Sequence, residues 1–267
     1  MPILFCLRWA LFVVGVLTAL LPVGGCAHPP DTRTPMPVIS YLYATRDSHP
    51  ATLIVLLPGR RDRADVFDQE GMIAVLKRNG VAADLLAADA HIGYYRRGSF
   101  ARQLHTEIIE PARRRYRHIV LVGVSLGAYG AARYAMIYPD EVSTLVLLSP
   151  FLGAGPVNRD VSEAGDEGFT QTRDWLHAYP KDADAPGRRA ARYPRIILGY
   201  GEQDLFPGTH AELRAHLPPD DVLTTPGAHA WGTWRVLLDR IAQRELLIPT
   251  PNPPATPSQS SPGPSPR

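Results

Sequence analysis

Cysteine is nearly missing from this chain. Among its 267 residues only Cys6 and Cys26 carry a thiol, and both lie ahead of residue 27. The body that follows can form no disulfide, no thiolate nucleophile and no zinc–sulfur centre. Cofactor signatures are missing too. There is no G-x-G-x-x-G, no Walker-type phosphate loop and no His-rich ligand spacing, so neither a cofactor nor a metal is expected. Nor is there an excess of one charge. Charged residues make up 20% of the chain and the formal net charge is +2, with no acidic or basic tail. That balance gives no reason to expect a nucleic-acid partner. The length is enough for one sizeable domain with its own core. Proline is plentiful at 27 residues, but many of these sit at the two ends, and the middle reads as an ordinary globular chain.

The start of the chain carries Arg8 and then an apolar run over 10–21. This is a signal-peptide pattern and is short for a stable membrane span. The run closes in Val23-Gly24-Gly25-Cys26. Small residues ahead of a cysteine at this place resemble the lipobox of bacterial lipoproteins. The resemblance implies a signal peptide over 1–25 and a lipid on Cys26. It also implies membrane contact through that lipid, at the bacterial cell envelope, facing the periplasm or the exterior. The alternatives are an uncleaved anchor or a plain secretory signal, the latter giving a secreted soluble protein. Residues 26–37 read as a Pro-rich spacer, and 249–267, rich in Pro, Ser and Thr, as a disordered tail. One domain over 38–248 remains between them.

Within it, apolar runs alternate with helical stretches. Strands are expected over 38–45, 52–57, 81–88, 118–122, 142–148, 195–200 and 222–225. Helices are expected over 64–78, over 100–115 with a break at Pro111, and over 128–138, 170–178, 209–217 and 231–246. Residues 91–99 and 181–192 read as loops. Buried-type strands alternating with helices give an α/β fold, a doubly wound and mainly parallel sheet with right-handed crossovers. In such a sheet chemistry gathers after the carboxyl ends of strands.

Three residues fall there. Gly123-Val124-Ser125-Leu126-Gly127 follows the apolar run over 118–122 and precedes an Ala-rich helix, the strand–turn–helix setting of a nucleophile elbow. Asp204 follows the strand ending at Tyr200, and His229 follows the last strand. A serine hydroxyl is a poor nucleophile at neutral pH and needs a base within reach. The base in turn needs a carboxylate to hold its tautomer. Glu202 is the rival to Asp204 in the same loop. The remaining histidines, His210 and His216 in a helix, His118 and His28 among them, read as surface or packing residues.

On these residues the segment over 38–246 resembles an α/β-hydrolase of the small serine-esterase kind. Their order, Ser then acid then His, is the order of that superfamily. The run His229-x-Trp231-x-x-Trp234 is similar to the ending of esterase D and mycolyltransferase-like members. Leu56-Leu57-Pro58-Gly59-Arg60-Arg61-Asp62 resembles the H-G-x-G-D loop of carboxylesterases and acyl-protein thioesterases, with Pro58 in place of the usual His and Arg61 where a second Gly is common. The resemblance implies a catalytic triad of Ser125, Asp204 and His229. It implies an oxyanion hole from the backbone N–H groups of Arg60 and Leu126, a small-molecule ester or acyl substrate, and no cofactor. The stretch between the strand ending at Leu148 and Arg195 leaves room for little or no cap. Trp231 and Trp234 read as packing for the closing helix rather than as acyl-binding walls. Arg60, Arg61, Arg63, Arg96 and Arg97 read either as a basic rim suited to anionic substrates or as a solvated surface balanced by neighbouring acids. Three functions stay open on this reading. They are hydrolysis of carboxylic esters through an acyl-enzyme, acyl transfer to an alcohol by the same triad, and a non-catalytic binding lipoprotein that keeps the fold.

Overall fold

Thr52–Leu57 carries no charge, and all six of its residues are buried, the state of a strand covered on both faces. In the computed structural model it is one of seven strands: β1 (Val38–Tyr41), β2 (Thr52–Leu57), β3 (Asp84–Ala88), β4 (His118–Val124), β5 (Thr144–Leu148), β6 (Arg195–Gly201) and β7 (Val222–Thr225). They form one sheet in the order β1-β3-β2-β4-β5-β6-β7. All neighbours run parallel except β1, which is antiparallel to β3. The structure describes residues 31–43, 50–153, 166–180 and 193–247. The expected signal peptide with Cys26, the loop over 181–192 and the tail over 249–267 lie outside the described residues. Among the described residues no helix is long and apolar enough to cross a membrane.

Strand pleating divides the core in two. Val55, Leu57, Leu121, Leu147 and Leu198 face one layer, which includes Leu104, Tyr134 and Leu213. Ile54, Leu56, Val120, Val122, Val146 and Ile197 face the other, which includes Phe67, Leu76, Leu237 and Ile241. Each such side chain contributes roughly 1.5–3 kcal/mol by leaving water. The strand order reverses between β2 and β4, with β3 and β1 built outward on one side and β5 to β7 on the other. The loops after β2 and β4 diverge there and leave a crevice. The expected doubly wound, mainly parallel sheet is the one that forms. The helix Asp166–His177, in the β5–β6 connection, sets Phe169 against Tyr129 of the helix Leu126–Ile137, on the flank of the sheet.

Four expectations change. The helix over 64–78 is two helices, Val66–Gln69 and Met72–Arg78, parted at Gly71, whose φ of 75° ends a right-handed helix. The loop over 91–99 contains the helix Ile92–Arg96, with the His91 Nδ1 accepting from the Gly93 N–H at 3.1 Å as its cap. Ahead of Pro111 the chain widens into a π-helix over Leu104–Ile109. Proline offers no N–H to the carbonyl four residues back and its ring crowds that carbonyl, so the turn opens. Finally, residues 33–37 of the expected spacer are docked on the body. The Tyr94 hydroxyl bonds the backbone N–H and carbonyl of Arg33 at 3.0 and 3.1 Å. The Met36 N–H reaches Glu107 at 2.6 Å, and the Asp89 N–H reaches the Pro37 carbonyl at 2.9 Å.

Candidate active site

β4 ends at Val124, and the chain turns at Ser125 into the helix Leu126–Ile137. Ser125 has φ 53° and ψ −111°, a backbone that non-glycine residues seldom adopt. Close packing holds it there. A Cβ on Gly123 would run into the carbonyl of Gly127, and a Cβ on Gly127 into the carbonyl of Leu57, so glycine at both positions lets the helix press against the strand ends. The Ser125 N–H donates to the Leu148 carbonyl at 2.9 Å, tying the turn to the end of β5.

The loops after β6 and β7 bring the other two residues to this turn. His229 Nε2 lies 2.9 Å from the Ser125 Oγ, and its Nδ1 lies 3.0 and 3.2 Å from the two carboxyl oxygens of Asp204. A carboxylate can only accept, so Nδ1 carries the proton and Nε2 is left with a lone pair for the serine hydroxyl. The rings of Phe206 and Trp234 stand edge-on to the imidazole at 5.2 and 4.9 Å and fix its plane. Asp204 is buried and also accepts the Phe206 N–H at 3.2 Å. Glu202, its rival in sequence, is exposed, and it is Asp204 that meets the imidazole.

Burial alone would raise the Asp204 carboxyl. Hydrogen bonds from His229 and Ser149, with the charges of His229 and His210, outweigh it and hold Asp204 below its ordinary value. His210 and Ser149 were not read from the sequence as neighbours of the acid. His210 is fully buried, stacked on Tyr200 at 4.7 Å between ring centres, with Nδ1 3.9 Å from an Asp204 oxygen. Its burial, with the charge of His229 adding to it, overcomes the pull of Asp204 and of the Pro150 carbonyl, and His210 is pushed down to about 4. It is therefore a neutral ring at pH 7 and not an ion-pair partner.

A testable consequence follows from the sign. The unfolded chain protonates this histidine below about 6.5, while the folded chain resists until about 4. The unfolded state thus holds more protons in that window, and stability falls as pH drops through it, by roughly 3 kcal/mol. Urea midpoints measured at pH 7 and pH 4.5 should show this drop, and His210→Phe should flatten it. An unaltered slope in that variant would assign the acid sensitivity elsewhere.

A cavity of about 320 Å³ opens above Ser125. Arg60, Arg61 and Leu126 border it, with Phe151, Leu205, Phe206 and Trp234 as apolar walls. Leu126 is the first helical residue, so its N–H has no acceptor one turn back and stands at the positive end of the helix dipole. The loop after β2 closes as a turn, with the Asp62 N–H donating to the Gly59 carbonyl at 3.2 Å. Trp234 both packs in the core and walls the cavity, whereas Trp231 stacks edge-on against Phe67. The five arginines of the expected rim separate. Arg63 grips both Asp89 oxygens at 2.7 and 2.6 Å, Arg97 faces Asp31 at 3.8 Å, and only Arg60 and Arg61 reach the cavity. Among the described residues no group of three or more His, Cys, Asp or Glu side chains is arranged to hold a metal ion.

Comparison with known proteins agrees with this architecture. Residues 88–226 match a family described as the alpha/beta hydrolase fold. No curated protein matches the chain. Among solved structures, an S-formylglutathione hydrolase from Staphylococcus aureus is similar with a TM-score of 0.54 at 14% identity, covering 81% of this chain and 98% of its own. A monoacylglycerol lipase from Paleococcus ferrophilus is similar with a TM-score of 0.54 at 15% identity, covering 79% of this chain and 98% of its own. Est1E from Butyrivibrio proteoclasticus gives 0.53 at 14% identity, covering 79% and 94%. At these identities the likeness is one of fold. The family match runs from the end of β3 to just past β7, more than half of the chain, and the protein belongs to the alpha/beta hydrolase fold family.

Proposed function

We propose that this chain is a serine hydrolase that cleaves carboxylic ester bonds through an acyl-enzyme on Ser125. The observation that carries the reading is the continuous hydrogen-bonded line from Ser125 through His229 to a buried Asp204. Ser125 Oγ attacks the ester carbonyl carbon while its proton passes to His229 Nε2. The tetrahedral oxyanion lies toward the N–H groups of Arg60 and Leu126, each worth ~3 kcal/mol of barrier where such donors are well placed. As the intermediate collapses, the bond to the alcohol oxygen breaks and His229 returns the proton to that oxygen. A water molecule then gives a proton to His229 and attacks the acyl carbon, and the Ser125 oxygen leaves with that proton. Asp204 keeps the imidazole in its tautomer throughout.

The apolar walls of the cavity suit a small-molecule ester with a modest acyl group. Structural neighbours include proteins named as a ferulic acid esterase and a monoacylglycerol lipase, which is in keeping with ester cleavage. The reading is tested with p-nitrophenyl esters of several chain lengths and a fluorophosphonate probe, beside Ser125→Ala. Turnover and labelling that vanish in the variant support it, and a wild type that neither turns over nor labels removes it. An added alcohol acceptor that collects the acyl group in place of water would identify a transferase.

The same proposal extends to location. The signal-like run over 10–21 and the small residues before Cys26 support a lipid anchor at the cell envelope, with the domain over 38–248 outside the cytoplasm. Metabolic labelling with a fatty-acid analogue should mark the wild type and leave Cys26→Ser unmarked. Lipid retained by that variant would refute the anchor.

A further inference from the structure

Behind the acid, at the end of β5, stands a side chain that the mechanism above does not use. Ser149 is fully buried and has φ 48°, in the left-handed region that favours glycine. Its N–H donates to the Gly199 carbonyl of β6 at 2.8 Å, which fixes the residue between two strand ends. The Ser149 Oγ lies 2.8 Å from the Trp234 Nε1. An indole N–H can only donate, so the serine oxygen is the acceptor in that contact. The single proton of the hydroxyl is then committed elsewhere, and Asp204, to which Ser149 also hydrogen-bonds, is an acceptor in the carboxylate form. Direction is thus set along the whole line: indole N–H to Ser149, Ser149 O–H to Asp204, imidazole N–H to Asp204, Ser125 O–H to imidazole. Trp234 closes the figure, since its ring also stands edge-on to His229 at 4.9 Å.

Resting on the hydrolase reading, we infer that Ser149 is the positioning residue of Asp204, oriented by Trp234, and that it holds the carboxylate in the rotamer that meets His229. Glycine would suit the backbone at 149 better than serine does, so the strained conformation is kept together with the hydroxyl. Three donors then surround the carboxylate: the His229 ring, the Phe206 N–H and the Ser149 hydroxyl. Without Ser149 two of the three remain, and the carboxylate is held less firmly. The titratable groups facing Asp204 are His229 and His210, and since the His210 Nδ1 stands 3.9 Å away, beyond hydrogen-bond reach, the hydroxyl is a donor that His210 does not replace.

Ser149→Gly removes the hydroxyl and relieves the backbone, while Ser149→Ala removes the hydroxyl alone. Trp234→Phe keeps an aromatic face and removes the donor that orients Ser149. Both Ser149 variants should lose about ten-fold in kcat with little change in KM, the scale of one hydrogen bond to a charged group. The acid limb of their kcat/KM profile should move to higher pH, because the base His229 then faces a carboxylate with one donor fewer and more of its charge uncompensated. Trp234→Phe should shift the limb in the same direction by less. The resting protein supplies a second readout without substrate: the low-field ¹H resonance of the His229 Nδ1–H should move or broaden in Ser149→Gly. A folded Ser149→Gly with the wild-type limb and an unmoved resonance would overturn the assignment, as would a change confined to Tm. Should the wild type prove to have no esterase activity, the hydrolase reading falls, and the resonance alone still decides the role of Ser149.

Discussion

Replacing Ser125 by alanine is expected to lower kcat for ester hydrolysis by between about 10⁴- and 10⁶-fold, with almost no change in stability. The two halves of that expectation have separate causes. The hydroxyl is the group within 2.9 Å of the His229 Nε2, so its loss removes the nucleophile and leaves only oxyanion stabilisation and binding. The fold does not depend on that hydroxyl. Although Ser125 stands at the amino end of the helix Leu126–Ile137, its side chain makes no capping hydrogen bond, and alanine tolerates φ 53° about as poorly as serine does. The change in stability should therefore stay within the scatter of neutral surface substitutions, about 0.5 kcal/mol. Ester turnover, fluorophosphonate labelling and thermal melts of the two proteins measure all of this. A variant that keeps more than about 1% of the rate would remove Ser125 from the chemistry, far outside the loss expected for a nucleophile.

Asp204→Asn should cost almost as much, about 10⁴-fold in kcat, by a different route. An amide can turn its oxygen or its NH₂ toward the His229 Nδ1. With the NH₂ there, Nδ1 must accept, the proton moves to Nε2, and the base faces Ser125 with a donor instead of a lone pair. The Phe206 N–H bonds Oδ1 and keeps the amide oxygen there, which leaves the NH₂ at the Oδ2 position, 3.2 Å from the imidazole Nδ1. Stability responds as well. The folded protein holds Asp204 below its ordinary value, so its ionised form stabilises the fold above about 4, and that contribution is lost as pH falls through the folded value. The variant should melt below the wild type at pH 7, with the gap closing under acid conditions. Melts at pH 7 and pH 3 read the gap directly, and an equal gap at both would detach the charge from the effect.

Much of this architecture is legible in the sequence, for a physical reason. A strand buried on both faces must be apolar throughout, and runs such as Leu53-Ile54-Val55-Leu56-Leu57 allow no other environment. Strand ends of a parallel sheet share one edge, so the order of Ser125, Asp204 and His229 along the chain foretold their convergence in space. What stayed hidden were contacts that depend on two strands at once. Ser149-Pro150 after β5 reads as an ordinary turn, and only the register of β5 beside β6 sets its hydroxyl by Asp204. His210 reads as a helix residue, since burial is a property of the packed helix and not of the local sequence. The helix Ile92–Arg96 escaped notice because Gly93 is a poor helix former and His91 an unusual cap. The docking of Arg33 through Pro37 was invisible because prolines suggest a linker, whereas here Tyr94, Gln103 and Glu107 supply partners for the backbone and for Thr34.

That docked segment limits where a lipid anchor at Cys26 could hold the domain. Its first contact, Asp31 with Arg97, follows the carboxyl end of β3, on the edge of the sheet that also bears Ser125. Asp31 stands five positions after Cys26, a reach of at most roughly 17 Å when fully extended. A lipid on Cys26 would therefore work as a short leash fastened on the same edge of the sheet as the cavity. It would hold that edge nearer the bilayer than the opposite edge, where the parallel strands begin. A substrate held at that surface would then meet the cavity at a raised local concentration.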